Sequence, residues 1–203
     1  MISQWIGAIT KPRETFMNEK INASIGKGAV NFFIAGLISA IVGLIISMTS
    51  ANAGIAAAFG VINLIISPIW NVIVGIITVG ILFLFAKLLG GKGSYGSMFY
   101  LISLAIVPIT VIVALLSGLV AILPILGILV MLGFLILIVY AIYIEVLAIS
   151  ISQEIGMGKA LLALLLPAII AFIIVVILVL VLGAAFITMF GSASSTTGMV
   201  GLI

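Results

Sequence analysis

A glycine-rich stretch is the first place in this sequence where chemistry could occur. It reads GGKGSYGSMFY, from Gly90 to Tyr100. A phosphate-binding loop needs GxxxxGK followed by Ser or Thr, between a strand and a helix, so that backbone amides converge on the phosphates. Here Lys92 is followed by Gly93, and an apolar run precedes the loop. Related segments, GKG at 26–28 and GMGK at 156–159, also precede apolar runs. We interpret all three as turns, because glycine permits sharp reversals.

Glu145 is the second such place, because it is the one acidic residue inside a long apolar run. An acidic side chain at the centre of a membrane would cost roughly 2.5 to 3.5 kcal/mol, so it needs a partner or a proton. Lys87 and Lys92 could form an ion pair with it, and Tyr140 and Tyr143 could donate hydrogen bonds. Two interpretations stay open. One is a structural pair near the membrane surface, which we favour; the other is a proton or cation site in a transport path.

The residue types that are missing restrict the function further. The sequence has no Cys and no His, and it has no Asp. Its only carboxylates are Glu14, Glu19, Glu145 and Glu154. A hydrolytic triad or a metal site of the usual kinds cannot be assembled from these residues. We therefore expect no enzyme activity, no cofactor and no metal.

Composition places the chain in a membrane. Of its 203 residues, 66% are hydrophobic and 5% are charged, against the roughly 25% charged residues of a soluble domain. The apolar runs are long and lack the alternation of a barrel strand. Because a spanning segment must satisfy its backbone groups internally, these runs predict helices. The expected fold class is an all-α integral membrane protein, a five-transmembrane-helix bundle with a short N-terminal interfacial helix.

Three regions are expected along the chain: an interfacial segment at 1–27, a transmembrane domain at 28–190 and a short external tail at 191–203. The five spans are predicted at about 29–48, 69–88, 98–119, 125–150 and 160–182. The segment 51–68 is broken by Asn, Gly and Pro, which leaves an external loop, an interfacial helix or a re-entrant segment open. Pro108 and Pro167 are expected to kink their helices.

Charge predicts the orientation. The seven basic residues all fall on one side of a five-span topology; they are Lys11, Arg13, Lys20, Lys27, Lys87, Lys92 and Lys159. Since cytoplasmic loops collect Lys and Arg, we expect a multi-pass protein of the cell membrane with a cytoplasmic N-terminus and an external C-terminus.

The N-terminal segment has the pattern of a helix lying in the membrane plane, with Ile2, Trp5, Ile6 and Ile9 on one stripe. It is either a surface anchor or partner-docking element, or simply the cytoplasmic cover of the bundle, which we favour. Aromatic and basic side chains suited to the interface are expected to act as anchors. These anchors are Trp5, Trp70, Tyr95, Tyr100 and Lys159.

Four motifs carry a family resemblance: KPRETF from Lys11, LLGGKGSYGSMFYLISLAIVP from Leu88, LPILG from Leu123, and GKALLALLLP from Gly158. In these the chain resembles the Yip family, the Ypt/Rab-interacting membrane proteins, in its prokaryotic form. The resemblance implies five helices, a cytoplasmic N-terminus and no catalytic residues. Eukaryotic relatives are linked to small GTPases and vesicle traffic through a long N-terminal region. With only about 27 residues before the first span, we do not carry GTPase binding over.

Two hypotheses follow for the function. The first is a non-catalytic membrane protein that acts as a scaffold, partner-binding or membrane-organising module. The alternative is a small oligomeric transporter or channel organised around Glu145. The expected partners are the lipid bilayer with its anionic headgroups and a protein on the cytoplasmic face. A homo-oligomer stays open, and no nucleic acid is expected.

Overall fold

The computed structural model describes residues 1–48 and 53–196, with side chains described except at 53–58, 122, 124 and 183–196. The described residues form helices joined by short turns, with no strand among them. Seven α-helices are present: α1 Ile2–Thr10, α2 Pro12–Glu19, α3 Ile25–Ser47, α4 Ala53–Leu88, α5 Tyr95–Ile122, α6 Gly127–Gln153 and α7 Met157–Thr196. Short 3₁₀ turns lie at Lys20–Asn22 and Pro124–Leu126.

Five of these helices are long and apolar enough to cross a membrane. Their spanning parts are Ile25–Ser47, Phe59–Leu88, Tyr95–Ala121, Gly127–Gln153 and Met157–Leu182. Each exceeds the roughly 20 residues that cover a hydrocarbon layer. The predicted class, an all-helical membrane protein with five spans and a short N-terminal helix, is therefore confirmed.

The second spanning helix differs from its expected bounds. A break was expected over 51–68 and a helix from 69, but α4 is continuous from Ala53; residues 51 and 52 lie outside the described part. Pro68 lies inside the helix and is buried against α3. A Cβ added to Gly36 would lie 2.7 Å from the Pro68 Cα, and the Ser67 hydroxyl donates to the Gly36 carbonyl at 3.2 Å. Because α3 packs directly on this turn, the proline is accommodated inside the helix.

The chain divides into two compact units, Met1–Leu164 and Leu165–Ile203. The first holds α1 to α6 and the beginning of α7. The second holds the rest of α7, which continues to Thr196. The external tail expected at 191–203 thus begins as helix, and residues 197–203 lie outside the described part.

The glycine-rich stretch is a turn that docks on the end of α6. Gly90 has a φ of 94°, which favours glycine. The Lys92 backbone amide donates to the Gln153 carbonyl at 2.8 Å. A Cβ on Gly93 would lie 1.7 Å from the Ser152 carbonyl oxygen. Gly90 is therefore explained by its positive φ and Gly93 by close backbone packing. The turn predicted for GKG at 26–28 is wrong, because these residues form the first turn of α3.

Candidate functional site at the capped end of the bundle

Helices α1 and α2 form a cap over one end of the first unit. The Lys11 amide, which ends α1, donates to the Gly7 carbonyl, and Pro12 opens α2. A Cβ on Gly7 would lie 2.5 Å from Thr15 Oγ1, so the two helices touch closely there. Ala8 and Phe16 are fully buried in the core. The cap is therefore packed onto the bundle through apolar side chains from both of its helices.

One side-chain network joins both cap helices to α5. The Gln4 amide donates to Glu19 Oε1 at 2.8 Å. The Tyr100 hydroxyl donates to Glu19 Oε2 at 2.8 Å. Both carboxylate oxygens of Glu19 are thus occupied, and hydrogen bonds to a charged acceptor are stronger than neutral ones.

A second network ties α1 to α3 and α5. The Trp5 indole N–H donates to Asn31 Oδ1 at 3.1 Å, and Asn31 Nδ2 donates to Ser103 Oγ at 3.0 Å. The Ser103 hydroxyl in turn donates a hydrogen bond to the Tyr100 carbonyl at 2.7 Å. Asn31 and Ser103 are fully buried. Since a buried polar group is costly unless it is hydrogen-bonded, this hydrogen-bond network favours one position for the cap.

A small cavity of about 240 Å³ opens between the cap and the bundle. Its lining includes Gln4, Lys27, Asn31 and Tyr100. The Lys27 ammonium donates to the Asn22 carbonyl at 2.8 Å and lies 5.8 Å from the centre of the Tyr100 ring. Hydrogen-bond donors and acceptors converge on this cavity. Among the described residues no cluster of three His, Cys, Asp or Glu could hold a metal. The ammonium, amide and hydroxyl groups of this lining can bind and position a polar ligand.

The rim of the cap is linked to the turn between α6 and α7. Lys20 and Glu154 form an ion pair at 2.7 Å. The hydrogen bond from Lys20, together with its charge, lowers the pKa of Glu154. Glu154 itself has a left-handed backbone, with φ of 58°. Chain segments more than 130 residues apart thus meet at this rim.

The structure does not bring Glu145 together with the lysines that were expected to pair with it. Among the described residues, Glu145 makes no ion pair and no hydrogen bond. The Lys87 ammonium lies 5.3 Å from the centre of the Phe83 ring instead, and Lys92 is exposed on its turn. The reason is that depth along a helix does not fix the direction in which a side chain points.

The two tyrosines expected near Glu145 also have other contacts. The Tyr140 hydroxyl donates to the Ile9 carbonyl of the cap. The Tyr140 and Tyr143 rings stack with centres 6.1 Å apart. Tyr140 thus works as a further tie for α1.

Two of the five expected interfacial anchors lie inside the protein. Tyr100 is 2% exposed, and Trp5 packs against the core. Both serve the cap networks, because each offers a donor that a buried acceptor needs. Trp70 is 60% exposed on α4, and Lys159 is exposed near Gly90.

Tyr95 lies at the start of α5 and donates to the Ile76 carbonyl at 3.0 Å. Pro108 and Pro167 lie inside α5 and α7, which continue through them; the kinks stay a prediction.

Sequence reasoning missed the residues that hold the cap. Asn31 and Ser103 are isolated polar residues inside apolar spans. A polar side chain in such a place must find a partner, and this signal was available. The sequence gives no signal that these two residues pair with each other, because they are 72 residues apart.

Five apolar spans define the class of this molecule: a multi-pass integral membrane protein. Family models narrow it further. The model of the Yip1 domain matches residues 6–180, and the chain belongs to the Yip family. That membership supports a membrane-associated, non-catalytic role. No curated protein and no solved structure matched the chain.

Proposed function

We propose that this protein is a scaffold, partner-binding or membrane-organising module that carries out no catalysis. It would sit in the cell membrane, with residues 1–27 in the cytoplasm and the C-terminus outside. The seven basic residues support this orientation, since all lie in the cap or at helix ends and turns of one end of the bundle. Anionic headgroups would contact these side chains, and a homo-oligomer is compatible with the proposal.

The docking of the cap through buried side chains and hydrogen bonds is the observation that carries this proposal. Buried hydrogen bonds fix its inner face, as described above. Its outer face leaves Met17 58% exposed and Arg13 exposed, and the 3₁₀ turn that continues α2 leaves Ile21 89% exposed. Apolar and basic side chains held in fixed positions are suited to bind a partner, because little conformational entropy remains to be lost on binding. The protein partner would therefore contact the outer face of the cap.

Photo-crosslinking tests this proposal. A photoreactive residue is placed at Ile21, and a matched control is placed at Ile125, which is also 89% exposed but lies in the turn between α5 and α6. We expect a discrete protein adduct from Ile21 in native membranes and none of that mass from Ile125. Asn31→Leu should weaken the Ile21 adduct, because it loosens the cap. Equal adducts at both positions, or none at Ile21, would contradict the proposal.

A small oligomeric transporter or channel is the second candidate, and one observation favours it. Glu145 lies inside the spanning helix α6, where an ionisable side chain is a functional candidate, and it forms no ion pair among the described residues that would give it a structural role. Glu145→Gln is compared with Glu154→Gln in proteoliposomes that report proton and ion flux. The scaffold proposal predicts the same flux from both variants and from the unaltered protein. A flux change confined to Glu145→Gln would instead establish transport.

A further inference from the structure

A groove between α3 and α4 lies in the spanning part of the first unit and has no role in the cap. Its volume is about 400 Å³, within the roughly 300 to 1,000 Å³ of small-molecule sites. Four of its nine lining residues carry a hydroxyl or an amide: Ser39, Ser47, Asn63 and Ser67. A smaller groove, between α3 and α5, shares Ser39 and Gly43 and adds Thr110 and Ser117. The lining is therefore unusually polar for a surface inside a membrane.

The groove lies in the half of the membrane away from the cap. Ser39 is 12 residues beyond Lys27 on α3, or about 18 Å at the helical rise, and Ser47 is about 30 Å beyond it. A hydrocarbon layer is about 30 Å thick. The groove thus runs from the middle of the layer to its far surface, where a lipid places its glycerol and headgroup.

Two polar side chains of the groove are without a partner. Among the described residues, neither the Ser39 hydroxyl nor the Asn63 carboxamide makes a hydrogen bond, and both are exposed. Ser67 is already bound to the Gly36 carbonyl. A carboxamide has two donor hydrogens and an acceptor oxygen, and leaving it unpaired in hydrocarbon is costly. A ligand with hydroxyl and ester oxygens would satisfy both side chains.

The charge of the lining restricts the ligand. None of the nine residues is charged, so a phosphate held there would lack a counter-charge, and burying an unpaired charge is expensive.

A second copy of the chain fits poorly in this groove. A helix about 10 Å wide along the 12 Å from Ser39 to Ser47 would fill roughly 900 Å³, about twice the groove.

We propose that this groove binds the glycerol and headgroup region of a neutral, hydroxyl-bearing lipid such as diacylglycerol. Its hydroxyl and ester oxygens would pair with Asn63 and Ser39, and Gly43 would leave room for the glycerol. A Cβ on Gly43 would meet no atom within 4 Å, so the space beside it is open. The site is separate from the cap and does not depend on the function proposed for it.

Native mass spectrometry of the purified full-length chain tests the site. The probes are dioleoylglycerol and dioleoylphosphatidylglycerol, which share acyl chains and differ in the headgroup. Gly43→Leu fills the groove, and Asn63→Leu removes its amide. Gly80→Leu is the matched control, because Gly80 lies in the α4 span, also has open space beside it and does not line the groove.

We expect the unaltered protein to retain dioleoylglycerol in preference to the charged lipid. Asn63→Leu should weaken that binding about tenfold, the loss expected from one or two hydrogen bonds. Gly43→Leu should weaken it by occupying the space of the glycerol, and Gly80→Leu should leave it unchanged. Equal retention of both lipids, or unchanged binding in the two groove variants, would overturn the proposal. A change in oligomer mass with unaltered lipid binding would assign the groove to a second copy. If Gly43→Leu fails to fold, Asn63→Leu and Ser39→Ala decide the outcome.

Discussion

Replacing Asn31 by Leu should release the cap while leaving the spans in place. Asn31 is fully buried and accepts the Trp5 indole N–H at 3.1 Å. Leucine has a similar size but cannot accept a hydrogen bond, so the docked cap would hold that donor unpaired. Such a donor costs about 1 to 3 kcal/mol. The equilibrium constant for docking should therefore fall by a factor of about 5 to 150.

Hydrogen exchange of the α1 backbone amides measures this change directly. In lipid nanodiscs, exchange at residues 5–10 should accelerate by the same factor, while exchange in the middle of α5 should stay unchanged. In a Trp70→Phe background, the Trp5 emission should also shift to longer wavelength, since the indole enters a more polar environment.

Asn71→Leu is the matched control for this experiment. The Asn71 amide donates to the Ser67 carbonyl four residues earlier in α4, and no part of the cap depends on it. Its α1 exchange should equal that of the unaltered protein. If Asn31→Leu leaves α1 exchange unchanged, or if Asn71→Leu accelerates it equally, the buried network does not hold the cap.

Three further predictions concern the turns at the capped end. Gly93→Ala should lower the free energy of unfolding by at least about 2 kcal/mol, because the alanine Cβ would lie 1.7 Å from the Ser152 carbonyl oxygen. Gly156→Ala is the control in the same melting assay and should be nearly neutral, because Gly156 has open space around it. Glu154→Gly should melt above Glu154→Gln, because Glu154 has a left-handed backbone. Lys20 lowers the pKa of Glu154. The stability that this ion pair contributes is therefore present above the unfolded-state pKa of Glu154 and is lost as the pH falls through its folded-state pKa. The difference in melting temperature between the unaltered protein and Glu154→Gln should shrink in acid and in high salt.

The spanning helices could be predicted from the sequence because the bilayer imposes one dominant rule. A run of about 20 apolar residues must form a helix that satisfies its own backbone. The start of α4 was missed for a tertiary reason. Pro68 and its polar neighbours have the composition of a loop, but Gly36 lets α3 pack on this turn, and nothing near Pro68 in the sequence indicates that contact.

The candidate site was less accessible to sequence reasoning. Asn31 could be identified as a polar residue needing a partner, but the choice of Trp5 and Ser103 depends on how three helices are rotated about their axes. The prediction for Glu145 met the same difficulty. Lys87 was a candidate ion-pair partner for it, while the structure directs the lysine towards Phe83.

The ties of the cap have a consequence for biosynthesis. Asn31 is made 72 residues before Ser103, and Ile9 is made 131 residues before Tyr140. At about 5 to 20 residues per second, the first helix waits roughly 7 to 26 s for Tyr140 to leave the ribosome. Helix α1 is thus made before the five spans but is among the last elements to reach its final contacts. Until Tyr100 and Ser103 of α5 have been made, the apolar stripe of α1 is available to the insertion machinery, and a ribosome-bound chain should show its α1 amides unprotected until that point. The tie from Tyr140 is added later, when α6 has been made.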